Sequence, residues 1–127
     1  MPQRTPVLDY SQIRNYAERF TWLNPTTGQQ ETGYNPPSNA IDKHSVPFTV
    51  TFLTESGHAY RGRAICIGVN TAQHTRRLQF LDDALMQMPG YTDRQRRDLF
   101  QYIPRGEVRQ VSDLLIIEID GVRFSAS

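Results

Sequence analysis

Apolar and polar residues alternate with a period of two through much of the second half of the chain, and that alternation predicts strands. In PFTVTFLT, Phe48, Val50 and Phe52 alternate with Thr49 and Thr51. Glu55, Ser56 and Gly57 form a turn signal, with glycine free to take positive φ. HAYRGRAICIGVN reads as a long strand, with Ile65, Ile67 and Val69 on one face and the small Ala64, Cys66 and Gly68 on the other. Small residues there suit a bend or a close approach by another element. TRRLQF puts Leu78 and Phe80 inward and Arg77 and Gln79 outward. The last strands lie in GEVRQVSDLLIIEIDGVRF: a short strand EVRQV, a corner at Ser112 and Asp113, a central strand LLIIEI, and a hairpin at Asp120 and Gly121. A two-residue type I′ turn needs positive φ at both central positions, which Asp-Gly supplies.

Two segments carry a helical period instead. Ile13, Tyr16, Ala17 and Phe20 fall at i, i+3, i+4 and i+7, and Asp9 or Ser11 caps their start, which predicts a helix over 9–23 docked on the sheet. Leu81, Ala84, Leu85 and Met88 have similar spacing, stopped by Pro89 and Gly90. Thr92 with Gln95 three residues on makes a capping box for a second helix, anchored by Leu99 and Phe100 and ended by Pro104. Residues 83–105 thus read as a helical insertion between neighbouring strands. Residues 1–8 read as an arm. Residues 24–45, rich in Pro, Gly, Asn, Ser and Thr, keep no period and read as a long loop. The expected fold is mainly β (α+β): one domain over 1–127, whose part from 46 to 127 forms a small curved sheet or a partly closed SH3-like or OB-like barrel. Closure removes sheet edges that would otherwise pair with other chains.

Composition narrows the function classes only in part. With 127 residues the chain supports a single core, and its net charge of +1 argues against a general nucleic-acid binder unless basic residues cluster locally. The lone cysteine, Cys66, excludes an intrachain disulfide and sits in a buried-looking strand, where it serves as a small apolar filler. No stretch is long and apolar enough for a membrane helix, and the first residues lack the apolar core of a secretion signal, so synthesis in the cytoplasm and no membrane partner are expected.

Candidate chemistry is sparse. His44, His58 and His74 have no metal-ligand spacing, no nucleotide-binding or hydrolase motif occurs, and no cofactor is implied. A Cys66–histidine nucleophile pair is opposed by the strand context. Asp82 and Asp83 fit a cap for the following helix better than an acid pair or a cation site. Asp113 and Asp120 read as turn residues, and Glu118 either faces water or pairs with Arg123 across the hairpin. The arginines are the strongest lead. Arg61, Arg63, Arg76, Arg77, Arg109 and Arg123 lie on or beside strands and define a candidate face for phosphate or a partner's carboxylates, with Tyr60 as a stacking platform. The competing reading is an ordinary solvated face paired with Glu107, Glu118 and nearby aspartates. Trp22 and Tyr34, with Arg94, Arg96 and Arg97 of the RQRR run, are candidate protein-contact residues.

The strands TRRLQF and GEVRQVSDLLIIEIDGVRF resemble those of short proteins encoded by bacteriophages and prophage-like elements of gut bacteria. The shared pattern is an R-x-hydrophobic-x-F strand, then G-E-hydrophobic-R, then a strand ending E-hydrophobic-D/N-G, over about 47–81 and 106–124. In those proteins the two parts are nearly contiguous, so 82–105 looks inserted here. The resemblance brings no active site and implies a viral or mobile-element setting. The expected function is therefore that of a non-enzymatic assembly protein, a minor structural component of a phage particle (capsid, connector or tail) with protein partners or self-association. It would be made in the host cytoplasm and built into the virion. The alternatives are a nucleic-acid-binding accessory protein that uses the arginine face, and a small inhibitor of a host defence protein.

Overall fold

In the computed structural model the described residues are 7–87, 92, 94–95 and 102–125. They are mainly β. The principal sheet follows the order β1 (Val7–Asp9), β12 (Val122–Ser125), β11 (Ile116–Ile119), β5 (Phe48–Leu53), β6 (Ala59–Asn70), β7 (Thr75–Phe80), β10 (Val108–Ser112), with β8 (Ala84–Met86) paired to β6 and β9 (Tyr102–Ile103) paired to β8. A separate three-stranded sheet has the order β3 (Gln30–Gly33), β2 (Phe20–Leu23), β4 (Ile41–Ser45). The principal strands are β5, β6, β7, β10, β11 and β12. Each neighbouring pair is antiparallel, and the short β1 (Val7–Asp9) adds to β12 in parallel. A 3-10 corner (Asp113–Leu115) carries the chain from β10 into β11, which pairs with β5. The sheet therefore curls toward a barrel without closing: β10 and β11 are joined by the corner and not by a ladder.

Alternation explains this sheet. Phe48, Val50 and Phe52 are buried, as are Leu78 and Phe80, while Thr49, Thr51, Arg77 and Gln79 are not. On β6 the small face is the inner one: Ala64 and Cys66 are buried, and Ile67 and Val69 stand exposed at 45% and 41%. Phe80, Ile13, Leu78, Ile119 and Val50 are the largest fully enclosed side chains. Each such side chain contributes roughly 1.5–3 kcal/mol by burial. The Asp120–Gly121 hairpin has the expected geometry, with φ of 50° and 85°. The Asp120 carboxylate also accepts from the Thr49 backbone N–H at 2.8 Å, tying the turn to β5.

The helix expected over 9–23 is much shorter. A 3-10 turn (Tyr10–Gln12) leads into α1 (Arg14–Ala17), and β2 (Phe20–Leu23) follows. Asp9 caps the start through Ser11 N–H at 2.9 Å. Ile13 and Ala17 do plug the core, and the Tyr16 ring meets Phe124 edge-on at 5.5 Å. Phe20 satisfied the helical count by coincidence. It opens FTWL, where the aromatic Phe20 and Trp22 flank the β-branched Thr21 in a segment that pairs on both sides, and a single helical turn has too few hydrogen bonds to resist that pull.

The segment 24–45 is also corrected: it is not a structureless loop. Its residues form β3 (Gln30–Gly33) and β4 (Ile41–Ser45), both antiparallel to β2. Asn24 organises the first turn, its side-chain oxygen accepting from Thr26 and Thr27 N–H at 2.8 and 3.3 Å, and Gly28 completes it at φ 72°.

The helical spacing after Leu81 fails for a related reason. Ala84–Met86 is strand β8, paired with β6 and with β9 (Tyr102–Ile103). Gln79 faces Val108; five residues on, Ala84 faces Ile103, five residues back. One register thus runs through both ladders, and β8 and β9 extend the β7–β10 hairpin. The kink at 81–83 is held by Leu81 N–H to Arg63 O at 2.8 Å and by Arg105 N–H to the Asp83 carboxylate at 3.0 Å. Asp83 thus ties a kink and does not cap a helix. After the kink, β8 returns to β6 over Gly62, where an added Cβ would lie 2.7 Å from the Ala84 Cβ. The capping box forms, with Gln95 N–H donating to Thr92 Oγ1 at 3.2 Å and Thr92 N–H to Gln95 Oε1 at 2.9 Å, and Arg94 and Gln95 are helical. The expected anchors Met88, Leu99 and Phe100 lie outside the described residues. Among the described residues, no helix is long and apolar enough to cross a membrane.

Candidate functional site

The arginines do not form one surface. Arg61, Arg63, Arg77 and Arg123 are exposed on the outer face of the principal sheet. Arg61 lies opposite Thr51, Thr51 opposite Glu118, and Glu118 opposite Arg123, so one row crosses four strands. Strand spacing sets Arg61 and Arg123 about 14 Å apart. Arg77 lies further along β7, its aliphatic stem over Gly68. Arg109 is opposite Leu78 and so projects to the inner side, at the edge of the sheet. Its Nη2 donates to both carboxylate oxygens of Glu107 at 3.2 and 3.3 Å. Tyr60 does not serve the outer face either: it is buried and stacks on Phe52 at 5.9–6.0 Å ring distance typical of this aromatic floor, the Phe52–Tyr60 centroids being 6.0 Å apart and Phe52–Phe80 5.9 Å.

Arg76 departs most from expectation. It shares the inner face with Leu78 and Phe80 and is only 5% exposed. Its Nε donates to Asp113 Oδ1 at 2.9 Å, and its Nη1 donates to Glu18 Oε2. Asp113 is therefore a buried ion-pair partner and more than a turn residue. The cluster fastens three distant pieces of chain: the end of α1, β7 and the 3-10 corner. Burial works against the charge on Arg76, but the Glu18 hydrogen bond and the attraction of Asp113 and Glu18 outweigh it, so its pKa stands above the ordinary value. At Asp113 the balance is reversed: burial raises its pKa more than Arg76 lowers it. The repulsion of Glu18 adds a smaller push in the same direction at Asp113, and the same carboxylate helps hold the proton on Arg76. Burial likewise pushes the Cys66 thiol up, against the smaller lowering effect of a backbone hydrogen bond at Gly68 and of the nearby Arg76; the S–H itself donates to Gly68 O at 3.5 Å. A protonated thiol in this setting is a packing group.

The sheet's open seam holds a cleft of about 770 Å³. Phe52, Tyr60, Ile103 and Val111 supply its apolar lining, and Arg109 and His58 stand among its polar groups. Thr54, Ser56 and His58 make a hydroxyl–imidazole chain on one wall, with contacts of 2.9 and 3.0 Å. Sequence reasoning did not single out this cleft, because its walls come from β5, β6, β7, β9 and β10 and from the turn after β5. Among the described residues, no group of three His, Cys, Asp or Glu side chains could hold a metal ion.

The three-stranded sheet is a second surface. Every residue of β3 and β4 is exposed except Gly33 and Ser45. Trp22 is its single buried large side chain; it is 7% exposed and so is not a ready-made contact residue. Its indole N–H is buried with no hydrogen-bond partner among the described residues. Tyr34 and Ile41 are exposed at 48% and 46%, and the Arg14 guanidinium lies 5.3 Å from the Tyr34 ring centre. Arg94 is exposed on its helical turn, and Arg96 and Arg97 lie outside the described residues. The chain matches no protein-family profile, no curated protein and no solved structure.

Proposed function

We propose that this is a non-enzymatic assembly module whose three-stranded sheet docks on another protein. In the viral setting implied by the resemblance it is a minor structural component of a phage particle. The observation that carries this reading is the imbalance of the small sheet: three paired strands, one buried large side chain, and apolar Tyr34 and Ile41 left in water. A sheet of this size draws its stability from a covered apolar face, and this one covers little of its own. A partner laid over Tyr34 and Ile41 would supply the missing burial. Mass spectrometry of purified particles tests the reading; the protein is expected in the particle at fixed stoichiometry, and its presence only in the free pool of infected cells would overturn it.

A second reading rests on the outer face, where Arg61, Arg63, Arg77 and Arg123 are all exposed. Such a face supports binding to a nucleic-acid backbone, with affinity falling steeply as salt rises. Replacing Arg61 and Arg63 by alanine then weakens binding and flattens the salt dependence. Arg76, enclosed and already paired, takes no part. Absence of salt-dependent binding would reject this reading.

A further inference from the structure

The seam of the principal sheet has a property that neither surface above uses. Among the described residues, β10 pairs with β7 on one side only. The ladder bonds on that side belong to alternate residues. Phe80 N–H donates to Glu107 O at 3.0 Å and Asp113 N–H to His74 O at 2.8 Å, which in this register assigns Arg109 and Val111 to the bonded positions. The backbone groups of Val108, Gln110 and Ser112 therefore point the other way, toward the seam. On the far wall β11 leaves β5 at Phe52, so Leu53, paired with Ala59 of β6 on its other side, and Thr54 border the cleft with no described strand on the side that β11 has left. An edge of unpaired N–H and C=O groups running along an apolar cleft is the arrangement that accepts an added strand.

We propose that an extended segment of a partner polypeptide adds to the free edge of β10 and closes the seam. Backbone groups of Val108 and Gln110 bond the incoming strand. Its inward side chains, one in every two, are apolar and settle against Phe52, Tyr60, Ile103 and Val111. It carries one carboxylate, and Arg109 identifies it. Glu107 occupies only Nη2 of that guanidinium, so Nη1 and Nε remain for a second acidic group at the mouth of the cleft. The Arg109–Glu107 pair is half in water, so sharing the guanidinium gives up little. The fold already uses strand addition at its other edge, where Val7–Asp9 from the far end of the chain adds to β12. The proposal rests on the reading of the protein as an assembly module but places its contact at a different surface from the three-stranded sheet.

The test presents the full chain with a library of random segments of about seven residues, the span of an ordinary strand, fused to an inert carrier. Selected segments are expected to alternate apolar residues and to contain one Asp or Glu. Binding should slow amide exchange at Val108 and Gln110, while Arg109 and Val111 are slow already. Gln110→Pro removes one outward N–H and no ladder bond to β7, so it should weaken binding by about tenfold or more with unchanged melting. Arg109→Glu gives an independent check: selection should move from acidic to basic segments. The proposal is overturned if no segment is enriched over the carrier, or if bound segments leave the Val108 and Gln110 amides unchanged. It is overturned too if these amides are covered by a second copy of the chain, seen as a concentration-dependent dimer. If the protein enters particles with the β10 amides still unprotected, the strand site fails and the assembly reading stands. If it is absent from particles, that reading fails, and the peptide selection decides the strand site separately.

Discussion

The two sheets of this protein are built by opposite rules. In the principal sheet β5 alternates buried and half-buried residues without a break, and Phe48, Val50 and Phe52 all reach one core. In the small sheet β4 reads IDKHS and only Ser45 is even half-buried. The first sheet is held by what it encloses. The second is held by its ladders, its turns at Asn24 and Gly28, and one tryptophan. A strand can therefore exist with no hydrophobic period, provided that something else will cover it or that backbone pairing suffices.

Removing the central side chain of each sheet separates the two rules most sharply. Phe80→Ala should cost about 3–5 kcal/mol in denaturant unfolding, because it empties an enclosed site. Trp22→Ala should leave the principal transition within about 1 kcal/mol of wild type and instead abolish the amide protection that β2, β3 and β4 gain in the particle. A single transition lost equally in both variants would show one cooperative unit.

The Arg76 cluster is the next largest effect, because it fastens α1 and the 3-10 corner to β7. Arg76→Met should cost about 3 kcal/mol, the lower end for a buried pair, since the Glu18 side chain keeps 32% of its surface in water. The loss should shrink as pH falls through the raised pKa of Asp113, where that carboxylate becomes neutral and no longer needs the cation. Equal loss at neutral and acid pH, measured by urea titration, would mean that packing and not charge holds the joint.

Gly62→Ala should cost about 1–3 kcal/mol by pushing β8 off β6 at the kink, and should leave the small sheet unaffected. Asp113→Asn is smaller and carries a sign. The folded pKa of Asp113 is raised, so its contribution is fully present below the unfolded value of about 3.9 and is lost as pH rises through the folded value. The asparagine variant should lack that decline and be no less stable than wild type at pH 7. A clear loss at pH 7 would show that pairing with Arg76 outweighs burial.

The legible part of the fold was the part with one wet face and one dry face. TRRLQF displays its strand, and its period already puts Arg76 with Leu78 and Phe80; the residue's charge argued for the surface and hid this. Glu18 stands 58 residues from Arg76, so the pair that makes an inward arginine tolerable has no local signature. The small sheet was illegible because QETG and IDKHS expose both faces. The hairpin extension was misread because ALM fits a helical and a strand period equally over three residues, and only its register with Tyr102 and Ile103 decides. The cleft is assembled from five strands and follows from topology, which spacing alone does not reveal.

The account stands most directly on amide exchange of the chain free and in purified particles. It predicts that β2, β3 and β4 exchange readily in the free protein and slowly in the particle, with β5, β6 and β7 slow in both. Equal protection of the small sheet in the free protein, or absence of the chain from particles, would contradict it.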